Sequence, residues 1–423
     1  MPASSWSEVN VMNRRVVLLA GIAASVAASV SGPVATRAAE IKRPKPAARR
    51  AAAAAAAEPA LPTSPAQTPL GPVDTAARYA LITDFTTDST LLDKDSDEEM
   101  VPSSMTKLMT AYVIYGLLRS GRLQLTQEFP VSEKAWRMGG SKMFVQIGTS
   151  VRVEDLIRGM IVQSGNDACI VLAEGIAGSE EQFVELMNAK AKELGLTKSM
   201  FRNCTGWPDP GHYMSARDIA TLARRIILDF PEYYKYDSEK SFKYNNIDQE
   251  NRNPLVQKGL ADGLKTGHTE IAGYGLVASA KRGDRRIILV LNGLPTMHAR
   301  AEESERLLEW GFREFEDVTL FTAGDTVEQA PVYLGEQPSV PLVGGRELVV
   351  TLPRNWRKNA RITVEYDSPL RAPVQRGASV GRLLVTGTGV PDMEVPLLAG
   401  ADVPRLGLPG RAMAVLSHMI SGG

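Results

Sequence analysis

Cysteine, histidine and aromatic residues are scarce in this chain, and neither sign of charge prevails. Of 423 residues, two are cysteine and four are histidine. Cys169 and Cys204 are too few and too irregularly placed for a metal cluster or a disulfide framework, though the two could form one bridge. No metal and no cofactor is therefore expected. Lysine plus arginine and aspartate plus glutamate both number 48, so there is no basic field to attract nucleic acid and no acidic excess to keep the chain unfolded. Partners must be sought in local sites. No apolar run reaches membrane-spanning length; the longest, "VVLLAGIAASVAASV", has the length of an export signal.

What is present falls into blocks. Arg14 and Arg15 precede that apolar run, and small residues in "GPVATRAAE" suit cleavage near Ala38 or Ala39, so 1–39 reads as a signal peptide. An uncleaved anchor is the alternative, and the paired arginines leave twin-arginine export open. Residues 40–73 are dominated by Ala and Pro and read as a semi-extended tether with little to bury. Alternation around "TTDS" then predicts a hairpin. After Ser104, apolar residues Met105, Leu108, Met109, Tyr112 and Tyr115 predict one buried helix face. Further helical stretches follow, strands return at "GYGLVASAKRGDRRIILVLNG" with a turn at Gly283 and Asp284, and a helix closes the block near residue 316. This order predicts an α/β (α+β) domain over 74–316, with a largely antiparallel sheet flanked by helices. Short strand-like segments punctuated by Gly, Pro and Asp over 317–400 predict a small all-β domain. From Arg411 to Ser421, within the terminal segment 404–423, Ala412, Met413, Val415, Leu416, Met419 and Ile420 share one side of a helical wheel. That helix either docks on the β domain or lies in a membrane interface.

The chemistry is concentrated in three short motifs. Ser104 and Lys107 are three apart at a predicted helix start, so their side chains are neighbours. A hydroxyl becomes a competent nucleophile when a base takes its proton, and a lysine can be that base once burial or nearby positive charge lowers its pKa. Ordinary amino-acid usage gives S-x-x-K about once or twice in such a chain, mostly as a cap and a solvated lysine. Its company matters more. Ser164-Gly165-Asn166 lies between two helices, and Lys265-Thr266-Gly267-His268-Thr269 leads into the hairpin. K-T-G arises about once in ten such chains, so the three in this order are uncommon. Each has a plainer reading. Asn166 and Asp167 could cap a helix, Gly267 could serve close strand packing, and Arg217 could sit in a salt bridge. Cys169 reads as a small buried residue.

The three motifs together resemble those of the penicillin-recognising serine acyl-enzymes. The segments "SSMTKLMTAYVI", "LIRGMIVQSGNDACIVLAEGIAGS", "MSARDIA", "GLKTGHTEIAGYGLVASA" and "ESERLLEWGF" are similar to those of the low-molecular-mass D-alanyl-D-alanine carboxypeptidases, over about Ala76 to Ala399. The resemblance implies a penicillin-binding fold, and a peptidase that cleaves D-alanine from peptidoglycan peptide stems and is acylated by β-lactam antibiotics. It implies Ser104 as nucleophile and Lys107 as its base, with Ser164 and Asn166 completing the proton path. It further implies Lys265, Thr266, Gly267, His268 and Arg300 as substrate-binding residues, the backbone amides of Ser104 and His268 as an oxyanion hole, and Arg217 as a weaker substrate contact. An exported enzyme on the periplasmic face of the inner membrane, held peripherally by its C-terminal helix, completes the expectation. "ELMN" at Glu185 departs from the class A β-lactamase pattern by following Ser164 too closely, so fast β-lactam hydrolysis is not expected. A DD-endopeptidase, a β-lactamase and a wall-binding scaffold with a degenerate cleft are the competing readings.

Overall fold

The computed structural model describes residues 64–387 and 392–410. The expected signal peptide, nearly all of the Ala/Pro tether and the amphipathic stretch from Arg411 to Ser421 lie outside the described residues.

The expected first hairpin is present as β1 (Tyr79–Asp84) and β2 (Thr90–Lys94), paired antiparallel. Its turn is set by Asp84, whose Oδ1 accepts from the amides of Thr86 and Thr87. A tight 3₁₀ turn, Ser103–Thr106, runs directly into α1 (Lys107–Arg119). The sequence predicts one buried apolar face here, whereas in the structure Lys107 through Tyr115 are all buried. The helix is central, packed among three other helices, and its polar members Lys107 and Thr110 are enclosed with it.

A short pair, β3 (Glu128–Pro130) and β4 (Ser150–Arg152), brackets α2 (Glu133–Arg137). The helices α3 (Val153–Ile161), α4 (Asn166–Ala177), α5 (Glu180–Glu193), α6 (Ala216–Asp229) and α7 (Pro231–Tyr234) follow. Serine side chains at 179 and 215 accept from Gln182 N and Asp218 N, which starts α5 and α6. Beyond a 3₁₀ turn at Lys235–Ser238 come a small hairpin, β5 (Ser241–Tyr244) and β6 (Ile247–Glu250), and a single helical turn, α8 (Pro254–Gln257).

The main sheet is completed by β7 (Gly263–Thr269), β8 (Gly273–Arg282) and β9 (Arg285–Leu294), in the order β2-β1-β9-β8-β7, antiparallel throughout. Gly283, with φ +59°, turns β8 into β9. Both faces of this sheet are covered, so β9 alternates between two cores rather than between core and water. Ile288 and Val290 join the helical core, while Ile287, Leu289 and Leu291 pack with Leu307, Leu308 and Phe312 of α9 (Met297–Glu314). β7 is left at the sheet edge, next to the 3₁₀ turn that carries Ser104.

The chain passes straight from α9 into β10 (Phe315–Phe321), which pairs with β13 (Leu348–Pro353). A second sheet contains β11 (Thr326–Tyr333), β12 (Ser339–Gly344), β14 (Ala360–Tyr366), β15 (Leu370–Arg371), β16 (Ser379–Gly387) and β17 (Met393–Ala399). Val340, Leu342, Val350, Leu352, Leu383 and Val385 form a separate core for this all-β unit. Mixed α/β followed by all-β is the expected fold class.

Candidate active site

The S-x-x-K pair straddles the junction between the 3₁₀ turn and α1. Residues three apart eclipse one another in a 3₁₀ helix, so this local geometry aligns Ser104 with Lys107 more closely than an α-helical turn would. Lys107 Nζ lies 2.9 Å from Ser104 Oγ. It also donates to Asn166 Oδ1 and to the Thr205 carbonyl, both at 2.7 Å. The amine is 1% exposed. Burial lowers its pKa, and the charge of Arg252 lowers it further, against the opposing influence of Cys169, Cys204 and Asp167.

Asn166 and Asp167 begin α4, but neither acts as its cap. Asn166 Nδ2 donates to the Gly139 carbonyl at 2.9 Å, so its amide is oriented with the oxygen toward Lys107. Asp167 accepts from the amides of Met143, Phe144 and Val145 and fixes the loop that forms one wall of the cleft. Ser164 has φ +61° and is 2% exposed, and its Oγ has no protein partner while lining the cleft. Thr106 is held from behind by His212, 2.9 Å from its Oγ1. His212 Nδ1 accepts from Arg202 N, so Nε2 carries the proton, and burial pushes the pKa of this ring down to about 4.

From the opposite side, β7 presents Lys265, Thr266 and His268 at its edge position. Lys265 is 3% exposed, and burial, then the charges of Lys107 and Arg252, lower its pKa well below that of a free lysine. Gly267 permits a close approach. A β-carbon there would come within 3.0 Å of Ser103 Cβ and 3.1 Å of the Pro102 carbonyl, so this position serves close packing against the turn that carries Ser104. His268 stacks on Tyr274 with ring centroids 3.9 Å apart, and the Arg300 guanidinium lies 5.7 Å from the centre of the Tyr274 ring. Arg300 is buried, with Nε unpaired, and faces the cleft.

The resulting cleft has two arms that meet at Ser104. One, of about 650 Å³, is lined by Ser164, Arg252, Thr266, Gly267, Tyr274 and Arg300. The other, of about 490 Å³, is lined by Asn166, Thr205, Trp207, Pro208, Glu270 and Ile271. Ser104, Gly140, Ser141 and His268 line both. The first arm is cationic and suits a carboxylate. The whole constellation sets a serine hydroxyl beside a buried amine, next to an edge strand and a cationic end.

Known proteins share this plan. The profile of the D-alanyl-D-alanine carboxypeptidase family matches residues 63–296, and that of the penicillin-binding protein 5 C-terminal domain matches 315–405. The chain belongs to the D-alanyl-D-alanine carboxypeptidase family. It is 41% identical over 344 residues to the D-alanyl-D-alanine carboxypeptidase DacC of Escherichia coli (strain K12), covering 79% of this chain and 86% of that one. It is 39% identical over 347 residues to DacA of Haemophilus influenzae, covering 80% and 88%. Among solved structures, penicillin binding protein 5 from Haemophilus influenzae superposes with a TM-score of 0.69 at 38% identity, over 79% of this chain and 99% of that one. Penicillin-binding protein D2 from Listeria monocytogenes, solved in an ampicillin-bound form, is 26% identical with a TM-score of 0.53, over 57% and 98%. The protein is a serine D-Ala-D-Ala carboxypeptidase of this family.

Nine of the ten residues singled out in the sequence surround this carboxypeptidase cleft, either lining it or, like Lys107 and Lys265, standing directly behind its lining. Arg217 does not. It pairs with Asp93 at 2.5 Å and Asp97 at 2.8 Å and bonds Ser96, tying α6 to the end of β2. Its guanidinium is committed there, so the substrate-binding expectation is corrected to the salt-bridge reading. Cys169 and Cys204 are both buried and free, and no bridge joins them. Glu185 is exposed on α5, away from the cleft lining.

Sequence reasoning missed Arg252, Ser141, Thr205 and Trp207. Arg252 Nη1 donates to Ser141 Oγ at 2.5 Å, and burial lowers its pKa. The only local signal was an arginine set between two asparagines, of which Asn253 caps α8. Thr205 contributes a backbone carbonyl, which no residue type announces.

Proposed function

We propose that Ser104, Lys107, Ser164 and Asn166 carry out the carboxypeptidase reaction, with Lys265, Thr266, Arg300 and Arg252 holding the substrate. The observation that carries this reading is the 2.9 Å contact between Ser104 Oγ and a fully enclosed Lys107 amine. A neutral amine has two N–H groups and one lone pair. Asn166 Oδ1 and the Thr205 carbonyl engage the two N–H groups, which leaves the lone pair for the Ser104 proton. Burial and Arg252 keep that amine deprotonated at lower pH than a free lysine.

In the acylation step Ser104 Oγ gives its proton to Lys107 Nζ and bonds to the carbonyl carbon of the penultimate D-alanine. The C–N bond to the terminal D-alanine then breaks, and the leaving nitrogen takes the proton from Lys107 through Ser164, whose buried hydroxyl is unpaired. Water then gives a proton to Lys107 as its oxygen bonds to the acyl carbon, and Lys107 returns that proton to Ser104 Oγ as the ester bond breaks. The backbone amides of Ser104 and His268 stabilise the oxyanion. Thr266, Arg252 and Arg300 meet the terminal carboxylate, and the free edge of β7 pairs with the peptide backbone.

The substrate is the peptide stem of peptidoglycan, and β-lactams acylate Ser104 by the same path. The apolar run in 1–39 and the amphipathic residues 411–421 support export, action at the periplasmic face and a peripheral membrane contact. The test is incubation with a D-Ala-D-Ala-terminated pentapeptide and with fluorescent penicillin. Release of free D-alanine and a covalent label that Ser104→Ala abolishes are expected. A label that persists in Ser104→Ala, or cleavage of cross-linked dimers with none of the pentapeptide, contradicts the reading.

A further inference from the structure

The second arm of the cleft has features that the carboxylate chemistry does not use. Trp207 and Ile271 are large apolar side chains left 48% and 72% exposed, and both line this one groove beside Ser104. Exposed apolar side chains concentrated next to a nucleophile mark a surface that a ligand covers. The groove wall is built rather than loose. Asn203 Oδ1 accepts from the amides of Thr205, Gly206 and Trp207, and its Nδ2 donates to the Trp207 carbonyl. The same loop places the Thr205 carbonyl on Lys107, so the indole position is tied to the catalytic amine. A β-carbon at Gly140 would sit 3.0 Å from the indole, which therefore rests on bare backbone.

The two arms differ in charge. The first holds Arg252 and Arg300, and among the described residues Glu270 is the only charged side chain lining the second. Glu270 lies in the turn joining β7 to β8, two residues past His268, with Ile271 next to it. That turn is braced by Thr269, whose Oγ1 accepts from Ala272 N and lies 3.3 Å from Ser103 Oγ. A peptide whose terminal carboxylate occupies the first arm must send its preceding residues into the second. Apolar walls suit a run of methylenes, and a lone carboxylate beyond them suits a cation at the end of that run.

Building on the carboxypeptidase reading, we infer that the Trp207–Ile271 groove is the subsite for the side chain of the residue preceding the two D-alanines, and that Glu270 selects stems whose residue there carries a free, protonated amine. Stems in which that amine is already acylated, as in a cross-link, lose the charge partner and are poorer substrates.

The test compares two pentapeptides, L-Ala-γ-D-Glu-L-Lys-D-Ala-D-Ala with a free Nε amine and the same peptide with Nε acetylated. D-alanine release gives kcat/KM for each. Wild type is expected to favour the free amine by about fivefold at low salt, as suits one partly exposed ion pair, and the ratio should shrink towards one in about 1 M salt. Glu270→Gln should bring the ratio close to one, and Glu270→Lys should invert it. Trp207→Ala should raise KM for both peptides more than it lowers kcat. Equal release of D-alanine from the two peptides by wild type, or a preference that survives Glu270→Gln and Glu270→Lys, overturns the subsite while leaving the carboxypeptidase reading intact. Release from neither peptide, with no penicillin adduct on Ser104, overturns both.

Discussion

Gly206→Ala is a small change predicted to disable the enzyme from a position that touches no substrate carbonyl. Gly206 has φ +83°, where a side chain costs about 1–2 kcal/mol. The added β-carbon would lie 1.8 Å from the Ser103 carbonyl oxygen, whereas ordinary contacts begin at 3.4 Å. One of the two segments must therefore move by about 1.5 Å, a displacement of the size at which about a hundredfold of rate is lost. Neither can move freely. Ser103 is buried at φ +50° in the turn that carries Ser104, and Gly206 is pinned by Asn203 through a 2.8 Å bond. Shifting the first misplaces Ser104, and shifting the second withdraws the Thr205 carbonyl from Lys107. The assay is the rate of covalent labelling by fluorescent penicillin, with thermal unfolding by circular dichroism as the control for folding. A folded variant acylated about 100-fold more slowly is expected. A folded variant that labels within roughly threefold of wild type would refute the argument that this loop positions the amine.

Two further outcomes follow from the charges around the cleft. Arg252→Gln removes a positive charge that depresses the Lys107 pKa, so the acid limb of the acylation profile should move to higher pH and KM for a carboxylate-terminated peptide should rise; a limb that moves down or stays fixed contradicts this. Asp237, enclosed behind β7, keeps its proton up to about 8 because burial outweighs the charge of Lys265. Its folded pKa lies above the unfolded one, so the folded state takes up a proton and stability falls as pH rises from about 4 to about 8. Asp237→Asn should therefore stabilise at pH 7 by on the order of 2–4 kcal/mol in urea unfolding, with the gain shrinking towards pH 4; destabilisation at pH 7 would contradict it.

Much of this was legible in the sequence because the chemistry is carried by residue types at fixed short spacings. Ser104 and Lys107 are neighbours in any helical turn, and the hairpin of β8 and β9 is announced by Gly283 between two apolar runs. The fully buried α1 was not legible as such, since a helix surrounded by other helices and a helix with one buried face differ only in their tertiary neighbours. Arg217 and Arg300 both begin helical runs with acidic neighbours, and only the fold separates them. Arg217 meets Asp93 and Asp97 from a distant hairpin, while Arg300 meets Tyr274 at the cleft. Arg252 and the Thr205 carbonyl reach the site by tertiary placement alone, so no spacing rule could find them.

The proposed chemistry requires a lysine that is neutral when its neighbour attacks. The pH dependence of acylation by a β-lactam, followed by mass spectrometry of the intact protein at short times, reads that state directly. A rate that rises with pH and levels off well below the pKa of a free lysine is predicted, with the adduct mapped to Ser104. A rate that keeps climbing to the pKa of a solvent-exposed lysine, or an adduct on another residue, would contradict it.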